Sequence, residues 1–113
     1  MYNIIKSDDL QRSPGGTVRF VGEPYGSGAS FFLVNAEPGK GASLHRHPYP
    51  ETWIVQSGQV RFTVGGEDIE ASSGDIVVGL AEIPHKFVNI GTDRLKLVCI
   101  HPSPQIIQED LEE

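Results

Sequence analysis

The chain is poor in sulfur, with one cysteine, Cys99, and one methionine among its 113 residues. A lone thiol cannot close an internal disulfide, which fits a reducing compartment. No apolar run approaches the roughly 20 residues of a membrane span. The start, MYNIIKSDDLQRS, has no basic stretch leading into an apolar one, so no secretory signal is expected and a cytoplasmic location is. Basic residues are few and scattered: nine against fifteen acids, for a net charge of -6. Without a cluster of Lys and Arg to neutralise phosphates, nucleic acid is not an expected partner, and neither is a membrane. Part of the acidity gathers in the tail Gln108-Glu109-Asp110-Leu111-Glu112-Glu113, read as a solvated helix end or a frayed terminus. Internal repeats and low-complexity segments are absent, and one domain over residues 1–113 is expected.

Punctuation, by contrast, is abundant. Thirteen Gly and eight Pro cut the chain into short runs rich in Val, Ile, Phe and Thr, and these alternate with period 2, the mark of half-buried strands. Strands are expected over 17–22, 30–36, 43–47, 51–56, 59–64, 67–71, 75–78, 86–89 and 95–101. Gly65-Gly66 reads as a two-residue hairpin turn, because both central positions of such turns require positive φ. The one helical candidate is the end of the chain. Ser103-Pro104 can open a turn there, and Ile107 and Leu111 fall four residues apart, as in a short lid across one barrel edge. Many short strands without a long helix leave an all-β sandwich or closed barrel, and closure removes the open edges that invite aggregation.

Two stretches carry chemistry. The first runs Gly39-Lys-Gly-Ala-Ser-Leu-His45-Arg-His47-Pro-Tyr-Pro-Glu51-Thr-Trp-Ile-Val-Gln-Ser-Gly58. Residues two apart on a strand share a face, so His45 and His47 point inward while Arg46 points out. Glu51 opens the next strand on the same face. Two imidazoles and a carboxylate converging in an interior are costly unless compensated, and a divalent cation compensates both. The second stretch, Gly74-Asp-Ile-Val-Val-Gly-Leu80-Ala-Glu82-Ile-Pro84-His85-Lys-Phe-Val-Asn89, brings His85 at the head of a strand that can enter the same interior.

These residues resemble the two motifs of the cupin family. The first, G(X)5HXH(X)3-4E(X)6G, is matched by Gly39, His45, His47, Glu51 and Gly58. The second, G(X)5PXG(X)2H(X)3N, is matched by Gly74, His85 and Asn89, with Leu80 where the family has Pro and Glu82 where it has Gly. The resemblance implies a double-stranded β-helix, a jelly-roll barrel, with one metal ion held by His45, His47, Glu51 and His85. It also implies pairing into homodimers, for which the N-terminal Tyr2-Asn3-Ile4-Ile5 is the candidate added strand.

The ligand set suits Fe, Mn, Ni, Cu or Zn, and the lack of thiolates argues against a closed structural zinc site. Four protein ligands on an ion that prefers five or six leave open positions for a small-molecule substrate. The leading expectation is therefore a metal-dependent oxidoreductase of the dioxygenase kind on a small oxygen-bearing organic substrate, with Glu51 also able to serve as a base. The alternatives are a redox-neutral isomerase or lyase on a sugar or keto acid, with His101, Glu82 or Tyr49 as proton shuttle, and a non-catalytic small-molecule binding module. Trp53, Phe87, Tyr49 and His101 are candidates for the substrate pocket, with core packing the default for Trp53 and Phe87 and a surface position the default for His101. Asn89 reads as support for a strand-end turn, and Cys99 as a buried, inert thiol.

Overall fold

Alternating apolar residues become alternating buried ones along the chain's strands. The structure, a computed structural model, describes residues 1–112. Its strands are β1 (Gln11–Arg12), β2 (Val18–Phe20), β3 (Ser30–Ala36), β4 (Gly41–Arg46), β5 (Glu51–Ser57), β6 (Gln59–Val64), β7 (Glu67–Ser72), β8 (Ile76–Gly79), β9 (His85–Asn89), β10 (Leu95–His101) and β11 (Glu109–Asp110). They form two sheets, one in the order β1-β2-β3-β10-β5-β8 and the other β11-β4-β9-β6-β7. Neighbouring strands pair antiparallel throughout. Two short 3₁₀ turns, Ser7–Asp9 and Glu23–Tyr25, lie in the N-terminal quarter. Among the described residues, no helix is long and apolar enough to cross a membrane.

The inner faces meet in one core. Val60 and Phe62 of β6 and Leu95 of β10 have no exposed surface, and Trp53, Val55 and Leu97 are nearly as closed. Gly65 and Gly66 join β6 to β7 with φ of 57° and 84°, the paired positive values of the expected hairpin turn. Asn89 supports a turn at the end of β9: its amide donates to the Ala36 and Asp93 carbonyls, and its Oδ1 accepts from the Gly91 N–H.

The end of the chain does not form a helix. Ser103–Ile107 runs as an irregular strap, and β11 then pairs with β4, placing Glu109 opposite Arg46 and Asp110 opposite His45. Strand pairing wins because its partners are in place. Leu111 N–H donates to the Leu44 carbonyl, Leu44 N–H donates to Glu112 Oε1, and Arg46 bridges Glu109 at 2.6 Å. Ile107 and Leu111 remain substantially exposed, so their four-residue spacing buries no helical face. Glu113 lies outside the described residues.

The loop between β8 and β9 makes its turn with Leu80 and Glu82 standing where the motif has Pro and Gly. Glu82 has a φ of 68°, in the left-handed region that glycine adopts freely and an L side chain adopts at a cost. Its N–H donates to the His47 carbonyl at 2.8 Å, which holds the strained residue in place beside the site. Leu80, two residues earlier, is exposed and makes no comparable demand. Glu82→Gly is therefore expected to raise stability by about 1 kcal/mol, read as a higher urea midpoint with unchanged slope. A lower midpoint would show that the carboxylate, rather than the backbone, governs this loop. Phe62→Ala empties the centre of the core and is expected to cost about 3–5 kcal/mol in the same assay.

Candidate metal centre

The site is assembled from three strands and one connection. His45, the penultimate residue of β4, lies directly opposite His85, which begins β9. A one-residue bulge between Ala42 and His45 sets that pairing. Glu51 begins β5, and His47 lies between β4 and the Pro48-Tyr49-Pro50 connection. All four side chains are buried, and one candidate ligand atom from each lies within 4.8 Å of the other three.

The outer nitrogens of the imidazoles explain their orientation. His45 Nδ1 lies 2.6 Å from the Ser43 carbonyl, His47 Nδ1 2.7 Å from that of Ile107, and His85 Nδ1 3.2 Å from that of Ile83. A carbonyl can only accept, so each Nδ1 carries the hydrogen and each neutral ring turns an unprotonated Nε2 inward. These inner nitrogens meet each other and Glu51. His45 Nε2 and His85 Nε2 are 3.1 Å apart, and Glu51 Oε1 lies 2.9 Å from His47 Nε2 and 3.1 Å from His85 Nε2. Despite that proximity, His47 Nε2 and Glu51 Oε1 have no hydrogen bond of acceptable geometry. Lone pairs from three rings and a carboxylate thus converge on one point with no donor between them. Such a point is electrostatically untenable without a cation, and its donors are those of a divalent metal site. The cluster can hold a metal, and the donor set leaves the identity of the ion open.

Titration behaviour follows the same geometry. Burial alone would raise the Glu51 carboxyl, but His101, His47 and His85 around it outweigh burial and hold it far below the usual carboxylate range. Burial lowers His45. For His47, burial pulls the same way, but the Glu51 carboxylate and the Ile107 carbonyl prevail and raise it. Without a metal, a proton on His47 is the available counter-cation for Glu51.

His101 joins this cluster rather than the surface. It is buried at the end of β10, with Nε2 3.4 Å from Glu51 Oε2 and Nδ1 2.6 Å from the Tyr49 hydroxyl. The Tyr49 oxygen also accepts the Ile107 N–H at 3.1 Å. The chain of bonds therefore runs from the Tyr49 hydroxyl, which donates to His101 Nδ1, through His101 Nε2–H to the carboxylate. Tyr49 also stacks flat on His47, with ring centroids 5.2 Å apart and planes 4° from parallel.

A cavity of about 650 Å³ reaches this cluster, with His45, Glu51 and His101 on its surface. Phe87 and Cys99 line it too. Burial, and then the nearby Glu51 charge, pushes the Cys99 thiol well above its ordinary value, so it faces the cavity as a neutral group. Two pocket candidates lie elsewhere. Trp53 packs in the core, edge-on to His85 at 4.8 Å and against Phe62 at 4.9 Å. Gly79 makes room for its ring, since a Cβ there would lie 2.6 Å from the indole. Tyr49 sits behind His47 and His101 and does not line the cavity. Glu82 is exposed, which removes it as a shuttle to the buried cluster. The other walls, Phe32, Val34, Ala36 and Ala42, escaped sequence reading. The only signal for the first three is the period-2 inward face of β3, which nothing marks as cavity rather than core, and Ala42 joins them from β4.

Comparison with known proteins places this geometry. No curated protein matches the chain. Among solved structures, Lactobacillus farciminis oxalate decarboxylase in its formate complex superposes with a TM-score of 0.81 at 22% identity, over 92% of this chain and 34% of that one. Bacillus subtilis oxalate decarboxylase, described with Mn(II) centres, gives 0.77 at 24% identity, over 90% of this chain and 29% of that one. The chain thus spans about a third of those enzymes' length. A Klebsiella pneumoniae protein described as uncharacterized, with a double-stranded β-helix domain, gives 0.72 at 22% identity, and the match covers 100% of both chains. At these identities the likeness establishes the fold. The family model of the Cupin domain matches residues 32–101, a span that contains all four residues of the cluster and most of the cavity wall, and the chain belongs to the cupin family.

Proposed function

We propose that this chain is a metal-dependent enzyme acting on a small oxygen-bearing organic molecule inside the barrel, with an oxygen-using, dioxygenase-like reaction as its leading chemistry. One observation carries the reading: His45, His47, Glu51 and His85 converge beside a cavity large enough for an organic substrate, with His47 Nε2 and Glu51 Oε1 buried and unpaired. A divalent ion bound there supplies a Lewis-acid centre and, if redox-active, a meeting point for substrate and O2.

The residues of the chain would divide the remaining work. His45, His47 and His85, each held through Nδ1 by a main-chain carbonyl, fix the ligand geometry. Glu51 offers Oε1 to the same point and Oε2 to His101, so the Tyr49–His101 chain, whose hydrogens point toward the carboxylate, can deliver a proton to the cluster. Burial of the cluster excludes bulk water, which strengthens every charge interaction inside.

That hydrogen-bond chain also favours a second reading, a redox-neutral lyase, because it provides the proton route such chemistry needs. The oxalate decarboxylases of similar fold cleave a carboxylic acid, as their name states, and lend this reading weight. Oxygen electrode traces separate the two: substrate-dependent O2 uptake supports the dioxygenase-like reaction, and product without O2 uptake supports the lyase.

Removal of a ligand tests the shared premise. His47→Ala is expected to weaken binding of Mn(II), measured by calorimetry, by at least about a hundredfold; undiminished affinity would refute the ligand assignment. Affinity should also fall with acidity. Because His47 is held above its ordinary value, a proton stays in its ligand position to a higher pH than on a free imidazole. Below that titration, affinity drops by about tenfold per pH unit for each proton displaced, and above it affinity levels off. Tyr49→Phe keeps the ring stack on His47 but removes the donor to His101. It is expected to leave metal content intact and to lower kcat by about tenfold or more, with little change in KM.

A further inference from the structure

We propose that the molecule bound in this cavity is amphipathic, with a monoanionic pair of adjacent oxygen donors at one end and an apolar body at least the size of an aromatic ring. The inference rests on the metal-centre reading and adds the class of substrate to it. The cavity lining is mostly apolar, with Thr17, Asn35 and Gln108 among its polar exceptions. His45, Glu51 and His101 bring the cluster to its surface, and Phe32, Val34, Ala36, Ala42, Phe87 and the neutral Cys99 thiol wall it. None of these six side chains offers a strong hydrogen-bond donor or acceptor to a polar body, and apolar walls of this kind favour hydrocarbon over water.

Size points the same way. About 650 Å³ is in the range of sites that enclose drug-sized ligands, so a two-carbon dicarboxylate would engage the cluster and leave most of the wall facing solvent. Charge fixes the head group. Three neutral imidazoles, one carboxylate and a divalent ion sum to a single positive charge, which a monoanionic chelating head balances and a dianion overshoots. The entrance adds little negative charge, because Arg94 ties it together. Its guanidinium donates to the Gly15 carbonyl, to Asn35 Oδ1 and to Glu37 Oε1 at 3.1–3.2 Å, neutralising Glu37 at the rim. Lys40, also at the rim, has no ion pair among the described residues.

Two hydroxamates with the same chelating head test the proposal. Acetohydroxamate has almost no body, and benzohydroxamate carries one ring. Calorimetry on the Mn(II)-loaded chain is expected to show benzohydroxamate binding at least about tenfold more tightly, and more tightly than oxalate. Val34→Phe, which narrows the cavity at its apolar wall, should shrink the difference while metal content is retained; Ala42→Leu serves the same purpose if the first variant fails to fold. Equal affinity for the two hydroxamates, or preference for oxalate, would overturn the proposal. A separate arm needs no metal. Benzene added to the metal-free chain should shift the methyl NMR signals of Val34, Ala36 and Ala42, and unshifted signals would also overturn it. If the chain takes up no Mn(II) yet these methyls shift, the metal reading fails and the apolar recognition stands.

Discussion

Three imidazoles turn their inner nitrogens toward one carboxylate because main-chain carbonyls hold their outer ones. A neutral histidine has one hydrogen to give. Spending it on Ser43, Ile107 or Ile83 leaves the other nitrogen as a lone pair facing inward. Were the rings free to flip, each could donate to Glu51, and the cluster would collapse into an ordinary buried hydrogen-bond network with no need of a cation. The tautomer, fixed by three backbone contacts, is what makes the difference. It depends in turn on the strands that set those carbonyls. Ser43 and Ile83 lie two residues before the histidines they hold, on or leading into the same strand, whereas Ile107 comes from the far end of the chain.

The barrel supplies the remaining constraint, which is burial. His47, Glu51, His85 and His101 are almost completely closed to solvent, so unmatched lone pairs have no water to turn to. The direct pairing of His45 with His85 places two donors at adjacent strand ends, and Glu51 reaches them from the other sheet. The site therefore bridges the two sheets, and any loosening of their packing would spread its donors apart. Trp53 stands at this joint. It fills the core behind His85 and packs on Phe62, tying the rigidity of the core to the position of a ligand.

Much of this was visible in the sequence. The His-X-His spacing on a strand, Glu51 four residues on, and His85 at the head of another strand give the cluster, and alternating apolar runs between glycines give the strands. Asn89 also does what its position suggested. The misses share one cause, namely that they are set by contacts distant along the chain. His101 appeared to be a surface residue because nothing nearby in sequence reveals that Tyr49 and Glu51 meet it. The C-terminal residues were assigned to a helix from the spacing of Ile107 and Leu111, but an open edge on β4 offered their backbone better partners. Tyr49 and Trp53 share faces or loops with ligands and still sit behind them, because sharing a face does not fix depth.

A division of labour within the chain follows. The ligands and most of the apolar wall lie within residues 32–101, the span matched by the family. Two pieces that complete the site lie outside it. The Ser13–Gly15 loop forms part of the entrance and is tied to it by Arg94, and the strap after β10 brings Ile107, whose carbonyl orients His47 and whose N–H holds Tyr49. Segments near chain ends are ordinarily the least stable parts of a fold. Here the strap is secured by pairing with β4, the strand that carries His45. Release of β11 would therefore free the edge of a ligand strand and the anchor of a second ligand together. The motif span fixes where a metal can sit, and the flanking segments govern how firmly its ligands are aimed and what can pass the entrance. That is why the motif alone identifies the family and says so little about the reaction.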